Sequence, residues 1–259
     1  MSRKRQEKKR KASKKRKTVK KQSYAVSGDL FRVASGILMD WVMDQINEMT
    51  NERLCPVRNR GGSGAELARE ILISRDPGLA MELTDDTIRE AVKSYFRGER
   101  TYGEIECWDV SRVTNMNSMF YCCKFDSDLS GWDVRNVINM RWMFGDCGEF
   151  NSDLSKWDVS KVKNTTYMFY SCHKFNSDLS GWDVSRVTNM DAMFKDCHEF
   201  NSDLSEWGVR RVINMNSMFN KCGEFNSDLS GWVVSNVICM RNMFTRCNKM
   251  VETNRPNFM

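Results

Sequence analysis

Apolar side chains along this chain keep two different rhythms, and its first stretch keeps neither. From Trp108 onward a Trp returns almost like a clock, at Trp132, Trp157, Trp182, Trp207 and Trp232, with one interval of 24 residues and the rest of 25. Around each Trp the same unit recurs: Leu-Ser-x-Trp-Asp-Val-x-x-Val-x-Asn-Met-x-x-Met-Phe-x-x-Cys-x-x-Phe-Asn-Ser-Asp. A unit this short cannot bury its apolar face alone and does so by stacking on its neighbours, which marks a repeat architecture. Leu154-Trp157-Val159, Leu179-Trp182-Val184 and Leu204-Trp207-Val209 stand as L-x-x-W-x-V. That spacing predicts an LRR-like repeat solenoid, with one short parallel β-strand in each 25-residue coil. Each large side chain buried in the stack contributes on the order of 1.5–3 kcal/mol.

Ahead of the array the period is helical. Ile37, Leu38, Trp41, Val42, Ile46 and Met49 share one face of a helix predicted over 35–54, ended by Pro56 and the glycines at 61, 62 and 64. A second helix fits 65–74, with Leu67, Ile71 and Leu72 on one side. A third starts at Thr84 as N-cap and carries Ile88, Ala91, Val92, Tyr95 and Phe96 as far as Gly98. The chain therefore divides into a basic tail over 1–22, a helical segment over 23–83 and a cap over 84–107. Six coils over 108–251 and a C-terminal tail over 252–259 complete it.

Charge changes the picture at the start. Residues 1–21 hold thirteen Lys/Arg and one Glu, so they carry +12 of a formal net charge of +6, and the remainder sums to −6. The clusters Lys8-Lys9-Arg10-Lys11 and Lys14-Lys15-Arg16-Lys17 have no apolar periodicity, and self-repulsion predicts a disordered, extended tail. Paired basic clusters suit a nuclear import receptor or a phosphate backbone, so a nucleic-acid partner is one expectation. No apolar run approaches the roughly 18 residues that cross a bilayer, and the N-terminus reads as neither signal peptide nor lipobox. These features point to an intracellular, nuclear location, with the ten cysteines kept as thiols.

Several rows of residues invite chemistry. The thiols Cys147, Cys172, Cys197, Cys222 and Cys247 form a ladder whose parallel side chains suit neither a disulfide nor tetrahedral zinc, and they read as small core residues. His173 and His198 share one position in neighbouring coils and read as exposed loop residues. The Asp row at 128, 153, 178, 203 and 228 lacks the glycine-rich calcium signature, and turn hydrogen bonding suffices for it. Asn115, Asn139, Asn164, Asn189 and Asn214 should lie one above another. No nucleophile–base pair or phosphate loop is present, so no enzyme, cofactor or metal is expected. What remains is surface: Arg112, Asp133, Lys156, Asp158, Lys161, Asp183, Arg186, Glu206 and Arg211 flank the strand core and form the candidate face for a protein partner.

Two family resemblances arise from these motifs. Residues 84–251 resemble the BspA-type leucine-rich-repeat proteins, whose W-D-V-S-x-V-T-N-M signature stands whole at Trp182 to Met190. The resemblance implies a solenoid and a cell-surface binding or adhesion role. Lys20 to Val26, Gly36 to Glu52 and Pro77 to Ala80 are similar to parts of a class 2B core histone, which implies a histone partner for 23–80. The leading expectation is a non-enzymatic interaction protein that binds a macromolecule through its solenoid face. Alternatives are a chromatin-associated histone-like protein and a BspA-type surface adhesin.

Overall fold

The computed structural model describes residues 83–99 and 101–258; the basic tail and the helices predicted over 35–54 and 65–74 lie outside the described residues. The third predicted helix is present as α1, Ile88–Phe96, led in by a turn whose Ile88 N–H reaches the Thr84 carbonyl. It ends at Gly98, whose φ of 74° only glycine adopts cheaply. There Gly98 and Glu99 donate to the carbonyls of Tyr95 and Ser94, the pair of bonds that closes a Schellman motif. Ile88, Ala91 and Val92 are buried, and the Tyr95 ring meets Trp108 and Phe125 edge-on, so α1 covers the first coil. Cap side chains also meet that coil's backbone. Asp85 accepts the N–H groups of Thr114 and Asn115, and Arg89 donates to the Asn117 carbonyl.

The strand predicted at L-x-x-W-x-V is not there. Among the described residues no β-strand forms, and the expected β-solenoid is corrected to a stack of coils built from turns. In the third coil Trp157 N–H closes on the Leu154 carbonyl at 3.1 Å, and Val162 N–H closes on the Val159 carbonyl at 2.9 Å. These bonds consume the groups that a strand would turn sideways. Side chains then supply the lateral partners: Leu154 N–H donates to Ser177 Oγ of the next coil, and Trp182 Nε1 donates to the Leu154 carbonyl. Strand-like pairing shrinks to one parallel bridge per interface, at Asn115–Asn139, Asn139–Asn164, Asn164–Asn189, Asn189–Asn214 and Asn214–Cys239.

The Met-x-x-Met-Phe-x-x-Cys segment carries most of the backbone contact between coils. Met140, Trp142, Phe144 and Asp146 each donate forward, to the carbonyls of Asn164, Thr166, Met168 and Tyr170 at 2.7–3.0 Å. Between them, Met143 and Gly145 close back on the carbonyls of Met140 and Trp142, and Arg141 donates to Asn139 Oδ1. The same four forward bonds recur at every interface from the first coil to the sixth. The third residue of two of these turns has positive φ in each coil, as at Trp142 (57°) and Asp146 (58°).

Side chains account for the rest of the repeat. Each Asn of the bridge ladder accepts the N–H two residues on, Asn164 that of Thr166 and Asn189 that of Asp191. Each Asp of Asn-Ser-Asp does the same for a Ser, Asp178 for Ser180 among them, and those bonds hold its carboxyl below the usual range. The Asn two residues earlier caps the next coil, as Asn151 Oδ1 accepts Asn176 N–H. Phe144, Phe169 and Phe194 stack at 5.6–5.7 Å between centroids, and with Leu, Trp, Val and Met they form one continuous core.

Candidate functional site: a lateral aromatic cluster

The thiol ladder belongs to the fold. Cys147, Cys172, Cys197 and Cys222 are buried and donate to the carbonyls of Phe120, Phe144, Phe169 and Phe194 in the preceding coil. Burial pushes the Cys147 thiol up to about 12 and that of Cys247 to about 11, so neither is a nucleophile at neutral pH. Eight described cysteines are free. Cys107, which precedes Trp108, lies outside the ladder.

His173 and His198 stack with centroids 4.7 Å apart, and His173 Nδ1 lies 3.0 Å from the Asp196 carbonyl oxygen. Lys221 Nζ lies 2.8 Å from Asp196 Oδ1, so this carboxylate is already paired. Among the described residues no group of three or more His, Cys, Asp or Glu could hold a metal.

The residues expected to face a partner sit on the turns beside each Trp. Arg112, Lys156, Asp158, Lys161, Asp183, Arg186, Glu206 and Arg211 are exposed, whereas Asp133 is half-buried. Asp158 and Asp183 spend one oxygen on the N–H groups of Ser160 and Ser185. Asp133 is paired with Arg135 at 2.6 Å, and Lys161 Nζ donates to Asn136 Oδ1 of the coil before it. The structure thus brings the basic file onto one side, with its acidic neighbours largely committed to local turns. The basic tail residues, Lys8 to Lys17, lie outside the described residues.

A second surface was not singled out from the sequence. Ten and thirteen residues after each Trp, the repeat places side chains on the outside of the forward-donating turns. Ser118, Ala192, Ser217 and Asn242 hold the first position in four coils, but Trp142 and Tyr167 hold it in the second and third. Tyr121 and Tyr170 hold the other position in the first and third, where later coils have Lys195, Asn220 and Thr245. The four rings meet. Trp142 stacks on Tyr167 at 4.3 Å and 2°, Tyr121 meets Trp142 edge-on at 5.1 Å, and Tyr170 meets Trp142 edge-on at 5.4 Å. Lys195 Nζ lies 5.4 Å over the Tyr170 ring, a cation–π contact that closes one end.

Gly145 makes room for this cluster. A Cβ there would lie 2.5 Å from Trp142 Cε3 and 3.2 Å from Tyr121 Cδ2, so any other residue displaces the rings. Tyr121 is 45% exposed, and the other three rings are half-buried. Charges rim the patch: Asp146 beside Tyr121 raises its hydroxyl pKa, and burial raises the Asp191 carboxyl. The signal was available in the sequence as two columns of the repeat that carry an aromatic residue in at least one position of each of coils one to three and in no later coil. The strictly periodic core columns mask it.

Residues 90–197 and 175–257 match the family described as Mycoplasma protein of unknown function, DUF285. No curated protein matches the chain. No solved structure matches it either.

Proposed function

We propose, for a chain that belongs to the DUF285 family of BspA-like mycoplasma repeat proteins, that the coil stack is a non-enzymatic adhesion module. It binds a protein surface through the lateral cluster of Tyr121, Trp142, Tyr167 and Tyr170. The observation that carries this reading is the breaking of the repeat: four aromatic rings gather outside the core in three coils, at positions where later coils carry small or polar residues. Stacking coils need no aromatic residue there, since Ser217 and Asn220 occupy the same columns in a coil that stacks equally well. Tyr and Trp dominate interface hot spots because a rigid ring buries much area while its O–H or N–H finds a partner. The exposed basic file of Arg112, Lys161, Arg186 and Arg211 would steer encounter from the neighbouring side.

The non-enzymatic reading draws on how the reactive side chains are used. Asp oxygens cap turns, ladder thiols are buried and protonated, and Asp196 is paired with Lys221. Display at a cell surface is favoured by the family. Nuclear, DNA-binding and histone-like roles rest on residues outside the described ones and draw no support from the family.

The test is binding of fluorescently labelled full-length protein to a panel of intact cells, read by flow cytometry. Saturable binding should fall at least tenfold in a Trp142→Ser/Tyr167→Ser variant. Tyr121→Ser, at the most exposed ring, keeps the comparison clear of folding defects. Gly145→Ala should weaken binding by displacing the rings without removing any of them. Equal binding by wild type and all three variants, or no saturable binding by wild type, overturns the reading.

A further inference from the structure

The two ends of the stack are not alike. At the first coil α1 lies over the core, and Asp85 and Arg89 meet backbone groups of Thr114, Asn115 and Asn117. At the sixth coil the segment from Val251 covers one side only. Leu229 N–H reaches the Asn254 carbonyl, Asn254 Nδ2 donates to the Asn226 carbonyl, and Arg255 lies 5.5 Å from the Phe244 ring. Apart from Arg255 against the Phe244 ring, the side bearing Ile238 to Arg246 has no such cover among the described residues.

That side is a row of donors. In the fifth coil Met215, Ser217, Phe219 and Lys221 give their N–H groups to the carbonyls of Cys239, Arg241, Met243 and Thr245. The equivalent donors of the sixth coil are Met240, Asn242, Phe244 and Arg246, and among the described residues none of these N–H groups has an acceptor. Their surroundings are apolar and basic. Ile238 is 79% exposed and Met240 42%, and residues 232–251 contain Arg241, Arg246 and Lys249 with no carboxylate. Lys249 is paired with Glu224, but Arg241 and Arg246 are in no ion pair among the described residues.

We infer that the open edge of the sixth coil, Ile238 to Arg246, is a docking site for an acidic polypeptide segment of a partner protein. The segment sets its backbone carbonyls against the four N–H groups and its carboxylates against Arg241 and Arg246. Hydrogen-bond polarity selects this occupant, because an unpaired row of backbone groups is a template for another chain. Two such edges brought face to face would oppose donor to donor and Arg to Arg, so a second copy does not fit tail to tail. It does not fit head to tail either, because α1 lies at the carbonyl edge of the first coil, where Arg89 already donates to the Asn117 carbonyl. Charge then favours an acidic segment over a neutral one.

Amide-resolved hydrogen exchange on the full-length protein tests this. The probes are blocked decapeptides of alternating Glu and Thr, Gln and Thr, or Lys and Thr. In the free protein the amides of Met240, Asn242, Phe244 and Arg246 should exchange at least tenfold faster than those of Met215, Ser217, Phe219 and Lys221. The Glu peptide should slow the four edge amides, at a concentration about tenfold lower than the Gln peptide requires. An Arg241→Glu/Arg246→Glu variant should reverse that preference in favour of the Lys peptide. Three results overturn the proposal: edge amides already protected in dilute free protein, protection that grows with protein concentration alone, or edge amides that the Glu peptide leaves unprotected. None of these outcomes depends on the aromatic cluster, so this site and the lateral one fail or stand separately.

Discussion

Among the described residues twelve non-glycine residues hold a left-handed backbone, two in each coil, and of these only Asp146, Asp196 and Asn242 are of types that tolerate it well. Each such residue costs about 1–2 kcal/mol, which the forward hydrogen bonds and the stacked Phe core offset. Replacing Ser217, with φ of 52°, by Gly removes the strain but adds freedom to the unfolded chain. The expected result is a change between zero and about 1 kcal/mol of added stability. Ser217→Val should instead destabilise by more than about 1 kcal/mol, since a β-branched residue resists positive φ. Denaturant midpoints of the two variants check the ordering.

The ladder thiols give a pH signature. Their folded pKa values lie above the ordinary value of 9.0, with Cys147 at about 12 and Cys247 at about 11. Above pH 9 the unfolded chain releases these protons while the folded chain keeps them. Stability is therefore complete below pH 9 and is lost as pH rises toward 11 and 12, each thiol approaching about 1.4 kcal/mol per pH unit. Asp153, Asp178, Asp203 and Asp228 work in the opposite sense, since bonds from Ser155, Ser180, Ser205 and Ser230 lower their pKa. Their contribution is present above the ordinary carboxyl value of 3.8 and fades as pH falls through the lower folded values. Thermal unfolding from pH 8 to 10.5 should show a shallower decline in a Cys172→Ala/Cys197→Ala double variant than in wild type.

At the scale of the element, the Leu-Ser-x-Trp turn decides what the coil is. Trp182 is 4% exposed, and its Nε1 satisfies the Leu154 carbonyl in the coil before it. Trp182→Ala should cost roughly 3–5 kcal/mol, and Trp182→Phe should keep most of the packing while leaving that carbonyl without its side-chain donor. A loss below about 1 kcal/mol for the alanine variant would show that the ring is not core. The α1 helix was legible in advance to within a turn, because Ile88, Ala91 and Val92 lie on one face and Gly98 must stop it. The strand was misjudged because Leu-x-x-Trp-x-Val has the spacing of a leucine-rich-repeat strand, yet its backbone groups close local turns. Burial of Leu154, Trp157 and Val159 at that spacing is met by the turns as well as it would be by a strand.

For the whole molecule, each coil contacts only its neighbours, so stability should behave as a sum of coil and interface contributions. Removing one complete coil, Trp182 to Glu206, joins equivalent positions and should leave a folded protein with a lower melting temperature. Removing half a coil should abolish cooperative unfolding, because the Asn, Ser, Cys and Trp ladders would lose register together. Calorimetry on the two deletions separates these outcomes.

The sequence by itself determined the period, the composition of the core and the ladders of Asn, Asp, Cys and Trp. Burial at a fixed interval is a one-dimensional property, and equivalent residues must stack wherever the units do. Only the tertiary structure decided the backbone path and the sites. Whether Leu154 N–H joins a strand ladder depends on its acceptor, and that acceptor is a Ser hydroxyl 23 residues further on. The aromatic cluster likewise joins residues from three coils, and it exists because Gly145 leaves space under Trp142. The open edge of the sixth coil is a matter of which donors lack an acceptor, which no run of residues specifies until neighbouring coils are in place.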